Sequence, residues 1–129
     1  MFYVDERSGV PIYEQVVWRV KELCLLGTLR PGDQLPSVRE MAGTIVANPN
    51  TIAKAYHELE RQGVIETRPG KGTFVAERVE VRADPRQKAL LRVQLRRLLV
   101  DAAYAGIGRE ELGQWLQEEL DDLGGDHGA

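Results

Sequence analysis

The side chains best placed to do chemistry fall in three short stretches, and the chemistry they suit is non-covalent. Ser37-Val38-Arg39-Glu40, Asn48-Pro49-Asn50-Thr51 and Pro69-Gly70-Lys71-Gly72-Thr73 each join a turn to a regular element. A helix start projects free backbone N–H groups and a partial positive charge, which suits phosphate. Asn48, Asn50 and Thr51 sit at such a start, and an asparagine amide can pair bidentately with adenine in a major groove. Lys54 follows Asn50 by one helical turn on the same side. Arg39, early in the preceding helix, can reach a phosphate or a guanine. In the third stretch Gly70 and Gly72 let backbone approach a phosphate closely, and Lys71 supplies charge for a neighbouring minor groove, with Thr73 closing the turn. Each residue also has a plainer reading. Ser37 and Asn48 serve as helix caps, a role compatible with contact; Arg39, Asn50 and Lys54 can be solvated surface. A bare hairpin turn explains the two glycines but not the lysine between them.

Covalent and metal chemistry find no comparable support. Cys24 is the one cysteine, placed among Leu23, Leu25 and Leu26 where it reads as a small core residue, and His57 and His127 are isolated. No Ser-His-Asp or Cys-His arrangement and no carboxylate pair is recognisable. The Gly-Lys-Gly turn lacks the spacing of a phosphate loop and no helix follows it. The expectation is a protein that is not an enzyme and uses no cofactor or metal.

The elements that must carry these stretches are readable from period and punctuation. Ile12, Val16, Val20 and Leu23 recur at helical spacing from Pro11 to about Leu26, and Gly27 ends the run. Residues 29–36, with two prolines and a Pro-Gly turn, read as a loop. Ser37 and Glu40 form a capping box that opens a short helix to about Val46. Asn48 caps and Pro49 begins a third helix, which runs to Gln62 with Ile52, Ala55, Tyr56 and Leu59 inward. Val64–Arg68 and Thr73–Val75 then alternate as two strands about a tight turn. Helix, loop, helix, short turn, helix and β-hairpin is the element order of a winged helix-turn-helix, which leaves the start of the third helix exposed.

The remainder is helical. Residues 77–84 alternate in charge and read as a linker. Asp84 and Pro85 open a fourth helix to about Tyr104, and a fifth spans about Arg109 to Leu123, closed by Gly124-Gly125. The fold class expected is mostly α with a small β-hairpin wing: a winged helix-turn-helix over 1–76, the linker, and a two-helix dimerisation segment over 85–129. The basis for dimerisation is apolar surface. Leu91, Leu95, Leu98 and Ala102 form one stripe with Leu99 beside it, and Leu112, Leu116 and Leu120 form another, more than two helices can bury alone. The basic flank of Arg86, Lys88, Arg92, Arg96 and Arg97 either pairs with the acidic tail across such an interface or stays solvated.

The chain has 129 residues with 43% hydrophobic and 29% charged side chains, room for one domain and an appendage. No apolar run approaches the ~20 residues of a membrane span, and the acidic start lacks the features of a signal peptide, so a cytoplasmic protein is expected. The formal net charge of −3 argues against a nucleic-acid partner only until it is mapped. Residues 1–78 carry ten Lys/Arg and ten Asp/Glu, whereas residues 110–129 carry seven acids and no Lys/Arg. The negative charge belongs to the tail.

At Leu29-Arg30-Pro31-Gly32-Asp33-Gln34-Leu35-Pro36-Ser37-Val38-Arg39-Glu40, Asn50-Thr51-Ile52-Ala53-Lys54-Ala55-Tyr56, Leu59-Glu60-Arg61-Gln62-Gly63-Val64-Ile65 and Gly70-Lys71-Gly72-Thr73-Phe74-Val75 the sequence resembles the GntR family of bacterial transcription regulators. The short tail and the Asn48-Pro49-Asn50-Thr51 start resemble its YtrA-type subfamily. The resemblance implies a dimeric DNA-binding repressor whose C-terminal helices dimerise. Many members have Ser-Arg where this chain has Asn48-Pro49, so the wider family's base preference does not carry over. Two other readings stand beside it: a winged helix used to bind protein, which the acidic total favours, and a ligand-binding or catalytic protein, which the motif search disfavours. A tail of two helices is too small to enclose a usual ligand pocket, so an effector is either absent or bound between subunits.

Overall fold

A computed structural model describes residues 1–77 and 84–124. The chain divides into two compact units, Met1–Glu80 and Val81–Ala129. Most of the expected linker, the second glycine of the closing pair and His127 lie outside the described residues.

The first unit contains α1 (Ile12–Leu25), α2 (Val38–Ile45), α3 (Pro49–Arg61), β1 (Ile65–Arg68) and β2 (Gly72–Val75). The helical periods resolve as the sequence predicts: Val16, Val20 and Leu23 of α1, Met41, Ala42 and Ile45 of α2, and Ile52, Ala55, Tyr56 and Leu59 of α3 are buried in one core with Leu35, Ile65 and Val75. α3 is the central element, packed against α1, α2 and β1. Burying each large side chain completely, as for Met41, Ile52 and Leu59, contributes roughly 1.5–3 kcal/mol. One face of α3 is thereby committed to the core. Its other face is left to solvent.

The strands are antiparallel, with Ile65 opposite Val75 and Arg68 opposite Gly72. Here the structure departs from the expectation of a loop over 29–36. Asp33–Leu35 runs along the free edge of β2 as a third, very short row. Gly32 donates to the Val75 carbonyl at 2.9 Å, Val75 to Asp33 at 2.8 Å and Leu35 to Thr73 at 2.8 Å, and Gln34 pairs with Phe74. A stretch of three residues between Pro31 and Pro36 is too short to show a strand period, so its pairing is invisible in the sequence.

Two further features went unread. The first ten residues are tied down by Gln15, whose side chain donates to the carbonyls of Asp5 and Val10 and accepts from the Asp5 N–H, and Phe2 and Val4 pack on the core. Val46, between α2 and α3, adopts φ 55 with its side chain 81% exposed. A β-branched residue in that left-handed region is strained.

The second unit consists of α4 (Pro85–Tyr104) and α5 (Arg109–Asp122). Asp84 caps α4, accepting from the Arg86 N–H. Ile107 closes the turn between the helices by donating to the Ala102 carbonyl at 2.9 Å. Beyond that turn α4 and α5 do not pack on each other. Leu91, Leu95, Leu98 and Leu99 of α4 and Leu116 and Leu120 of α5 are all exposed, Leu112 is half-buried, and Ala102 is buried under the turn.

Candidate nucleic-acid interface

Three local devices hold the candidate residues. At the start of α2, Ser37 Oγ accepts from the Glu40 N–H at 3.1 Å and Glu40 Oε1 accepts from the Ser37 N–H at 3.2 Å, a complete capping box. At the start of α3, Asn48 Oδ1 accepts from the Asn50 N–H at 2.8 Å, with Pro49 at the first helical position. Both caps therefore do structural work. Asn48 and Asn50 are both exposed, and among the described residues no hydrogen bond engages the Asn50 side chain. Thr51 is half-buried behind them.

The two helix starts are joined through the core. Tyr56, mid-way along α3, donates its hydroxyl to the Pro36 carbonyl at 2.6 Å. Burial, and secondarily the Glu40 carboxylate, pushes that phenol well above its ordinary pKa, so it remains a donor. Arg39 projects from the first turn of α2, exposed and outside every ion pair among the described residues.

The third device is the wing. Lys71 stands exposed at its tip, its N–H donating to the Arg68 carbonyl at 2.9 Å. Gly70 and Gly72 have φ 75 and 126, conformations that side chains resist. At Gly72 a Cβ would also lie 2.7 Å from Gln34 Nε2, the group that donates to the Lys71 carbonyl at 3.3 Å. Thr73 is half-buried, its carbonyl taken by Leu35. Beside the turn, the last residue of β1 is one that the sequence reading passed over. Arg68 stacks on Phe74, 4.3 Å from the ring centroid, and pairs with Glu66 at 2.8 Å. Cross-strand diagonal neighbours of this kind need the register before they can be named.

Lys54, one turn past Asn50, is exposed, and its side chain has a partner that helical spacing did not indicate. Its Nζ lies 3.9 Å from the centroid of the Tyr13 ring on α1, a contact worth ~0.5–1 kcal/mol at an exposed site. Farther along α3, Glu58 accepts from Arg61 and Gln62, and Lys21 of α1 donates to Gln62 at 2.8 Å. Those bonds hold the Glu58 carboxyl at about 2, well below the usual carboxylate range. These polar links fasten α3 to α1, while the Asn48–Asn50 end stays bare.

The exposed α3 start, the α2 start and the wing are what a winged helix needs to face a duplex. Residues 12–75 match the family model described as bacterial regulatory proteins, gntR family. The chain is 48% identical over 125 residues to the HTH-type transcriptional repressor YtrA of Bacillus subtilis, covering 97% of this chain and 96% of that one. A crystal structure titled as a transcriptional antiterminator from Listeria monocytogenes EGD-e is 42% identical with a TM-score of 0.83, covering 96% of this chain and 93% of that one. The DNA-binding domain of AraR in complex with operator ORX1 is 26% identical with a TM-score of 0.54, covering 59% of this chain and 96% of that one. Among the described residues no helix is long and apolar enough to cross a membrane. With fold, element order and near full-length identity in agreement, the chain belongs to the GntR family of bacterial regulatory proteins, in its YtrA-like branch.

Proposed function

We propose that this DNA-binding regulator is a cytoplasmic repressor that occupies a two-fold-related operator as a homodimer. In this reading Asn50, with Asn48 and Thr51, meets base edges in the major groove, and Arg39 and the α2 start meet the flanking backbone. Lys71, between Gly70 and Gly72, enters the neighbouring minor groove, and Lys54 adds charge only by leaving the Tyr13 ring. The observation that carries the assignment is the division of α3. One face is buried, while Asn48 and Asn50 at its start are exposed and the Asn50 side chain has no hydrogen-bond partner among the described residues. The relative named as a repressor and the neighbour bound to operator support it. One winged unit covers few base pairs, so site selection requires two held at fixed separation. The exposed leucines of α4 and α5 supply the surface for that pairing. No effector is assigned.

Mobility-shift titrations against the promoter of its own operon, at several salt concentrations, test the reading. Asn50→Ala should relax base preference and cost ~1–3 kcal/mol, whereas Lys71→Ala should weaken binding to all sequences and flatten the salt slope by about one unit. Unchanged affinity in both variants would remove the reading head from this role. A dimer without any sequence preference would favour a protein-interaction module instead.

A further inference from the structure

The turn between α2 and α3 carries a side chain that the fold does not need. Among the described residues, eight glycines and Val46 have a positive φ. At φ 55 and ψ 57 the Val46 Cβ crowds the carbonyl that follows it, a cost that glycine would not incur. The backbone closes this turn by itself: the N–H groups of Val46 and Ala47 both donate to the Ala42 carbonyl, the second at 2.9 Å. The core does not use the valine either. Ala47 packs against it, whereas Val46 is 81% exposed, the most exposed large apolar side chain among the described residues of the first unit. An exposed apolar residue alone needs no explanation. One that is also strained points to a contact made in another state.

Position and chemistry narrow that contact. Val46 lies two residues before Asn48 and four before Asn50, on the segment that leads into the exposed start of α3. Pro49 and Ala53, exposed as well, add apolar surface beside the two asparagines. Apolar groups among amides suit the major-groove edge of A·T pairs. Adenine presents there the N6 and N7 pattern that an asparagine reads, and thymine presents a 5-methyl group. That methyl is the only alkyl group a base pair displays in the groove, and the phosphate backbone offers a valine nothing comparable.

We propose that Val46 is a specificity-determining residue, packing on the 5-methyl group of a thymine next to the bases met by Asn50. The inference rests on the reading head assigned above and extends it from amide readout to methyl readout. A glycine would relieve the turn but give the methyl no surface to meet, so the strained valine exchanges stability of the free protein for discrimination on DNA.

Anisotropy titrations test it with duplexes of the site that the protein protects in the promoter of its own operon. Each thymine is replaced in turn by deoxyuridine, which removes the 5-methyl group and nothing else. For at least one thymine the parent should bind about fourfold more weakly, the effect of exposing one methyl-sized group. Val46→Gly and Val46→Asn, whose new residues are both at ease at positive φ, should bind the thymine duplex about as weakly as the parent binds the deoxyuridine one, and lose nothing further on replacement. The asparagine variant controls for the freedom that glycine gives the turn. A parent insensitive to every replacement, or either variant keeping the parent's penalty, would overturn the methyl contact. Failure of the underlying reading looks different. A parent with no preference for the site over unrelated DNA, or unchanged affinity in both Asn50→Ala and Lys71→Ala, would remove the reading head and Val46 with it; loss of the methyl contact alone leaves those two effects in place.

Discussion

Gly72 offers the sharpest test of how the wing is held. Gly72→Ala has two separable costs. The backbone there has φ 126, a conformation whose occupation by a non-glycine residue costs roughly 1–3 kcal/mol. The new methyl would also lie 2.7 Å from Gln34 Nε2. That contact is with the far end of a flexible side chain, so Gln34 can swing away and lose its 3.3 Å bond to the Lys71 carbonyl, worth no more than the low end of ~0.5–1.5 kcal/mol. The sum is about 2 kcal/mol, or a factor of roughly 30 in the folded-to-unfolded ratio. Urea melts should show a lower midpoint with an unchanged slope. Gly70→Ala, at φ 75 with nothing near the added methyl, should cost less, about 1–2 kcal/mol. Because strain outweighs the clash, Gly72→Ala combined with Gln34→Ala should stay within about 0.5 kcal/mol of Gly72→Ala alone. A Gly72→Ala protein that melts like the parent, or one fully rescued by Gln34→Ala, would refute this account of the wing.

Asn48→Ala removes the cap on α3 and should cost ~1 kcal/mol in a urea melt; an unchanged midpoint with weakened DNA binding would make Asn48 a contact only. Val46→Gly relieves a left-handed valine and should raise stability by up to about 1 kcal/mol, since the 1–2 kcal/mol of strain exceeds the entropic cost of glycine. Glu58, held at about 2 against an ordinary 4.5, contributes stability present above pH 4.5 and lost as pH falls toward 2. Glu58→Gln should therefore flatten the acid limb of the stability profile in that window, and less so at high salt because the site is exposed to solvent.

What the sequence revealed and concealed follows from the range of the interactions. Caps, helix starts and inward faces depend on residues within four positions of one another, so Ser37 with Glu40, Asn48 with Pro49, and the Ile52–Leu59 face of α3 were legible. Pairings between distant segments were not. The Asp33–Leu35 row beside β2, the Tyr56 hydroxyl on Pro36 and the Gln15 clasp on the first ten residues each tie a regular element to an irregular stretch, a pairing that no local spacing announces. Lys54 is the instructive case within the candidate site. Helical spacing put it on the Asn50 side, but a four-carbon stem reaches well beyond its own turn, and the Tyr13 ring that attracts it belongs to another helix. On α4, periodicity revealed the leucine stripe, while the exposed Val93, Val100 and Tyr104 on the opposite side went unread because Arg97 interrupts their repeat.

The third row beside β2 has a mechanical consequence. The hairpin is hydrogen-bonded to Asp33–Leu35, the chain continues directly into Pro36, and Pro36 is gripped by Tyr56 from α3. Wing and α3 are thereby coupled like the two jaws of a calliper whose hinge is locked before any duplex arrives. Under the proposed reading, little ordering cost remains to be met on binding, and an unbound unit should superpose closely on a bound one. The adjustment then falls on the DNA. A site whose groove geometry does not match the jaw gap must bend or narrow to fit, so base steps that neither jaw touches would influence affinity through their stiffness.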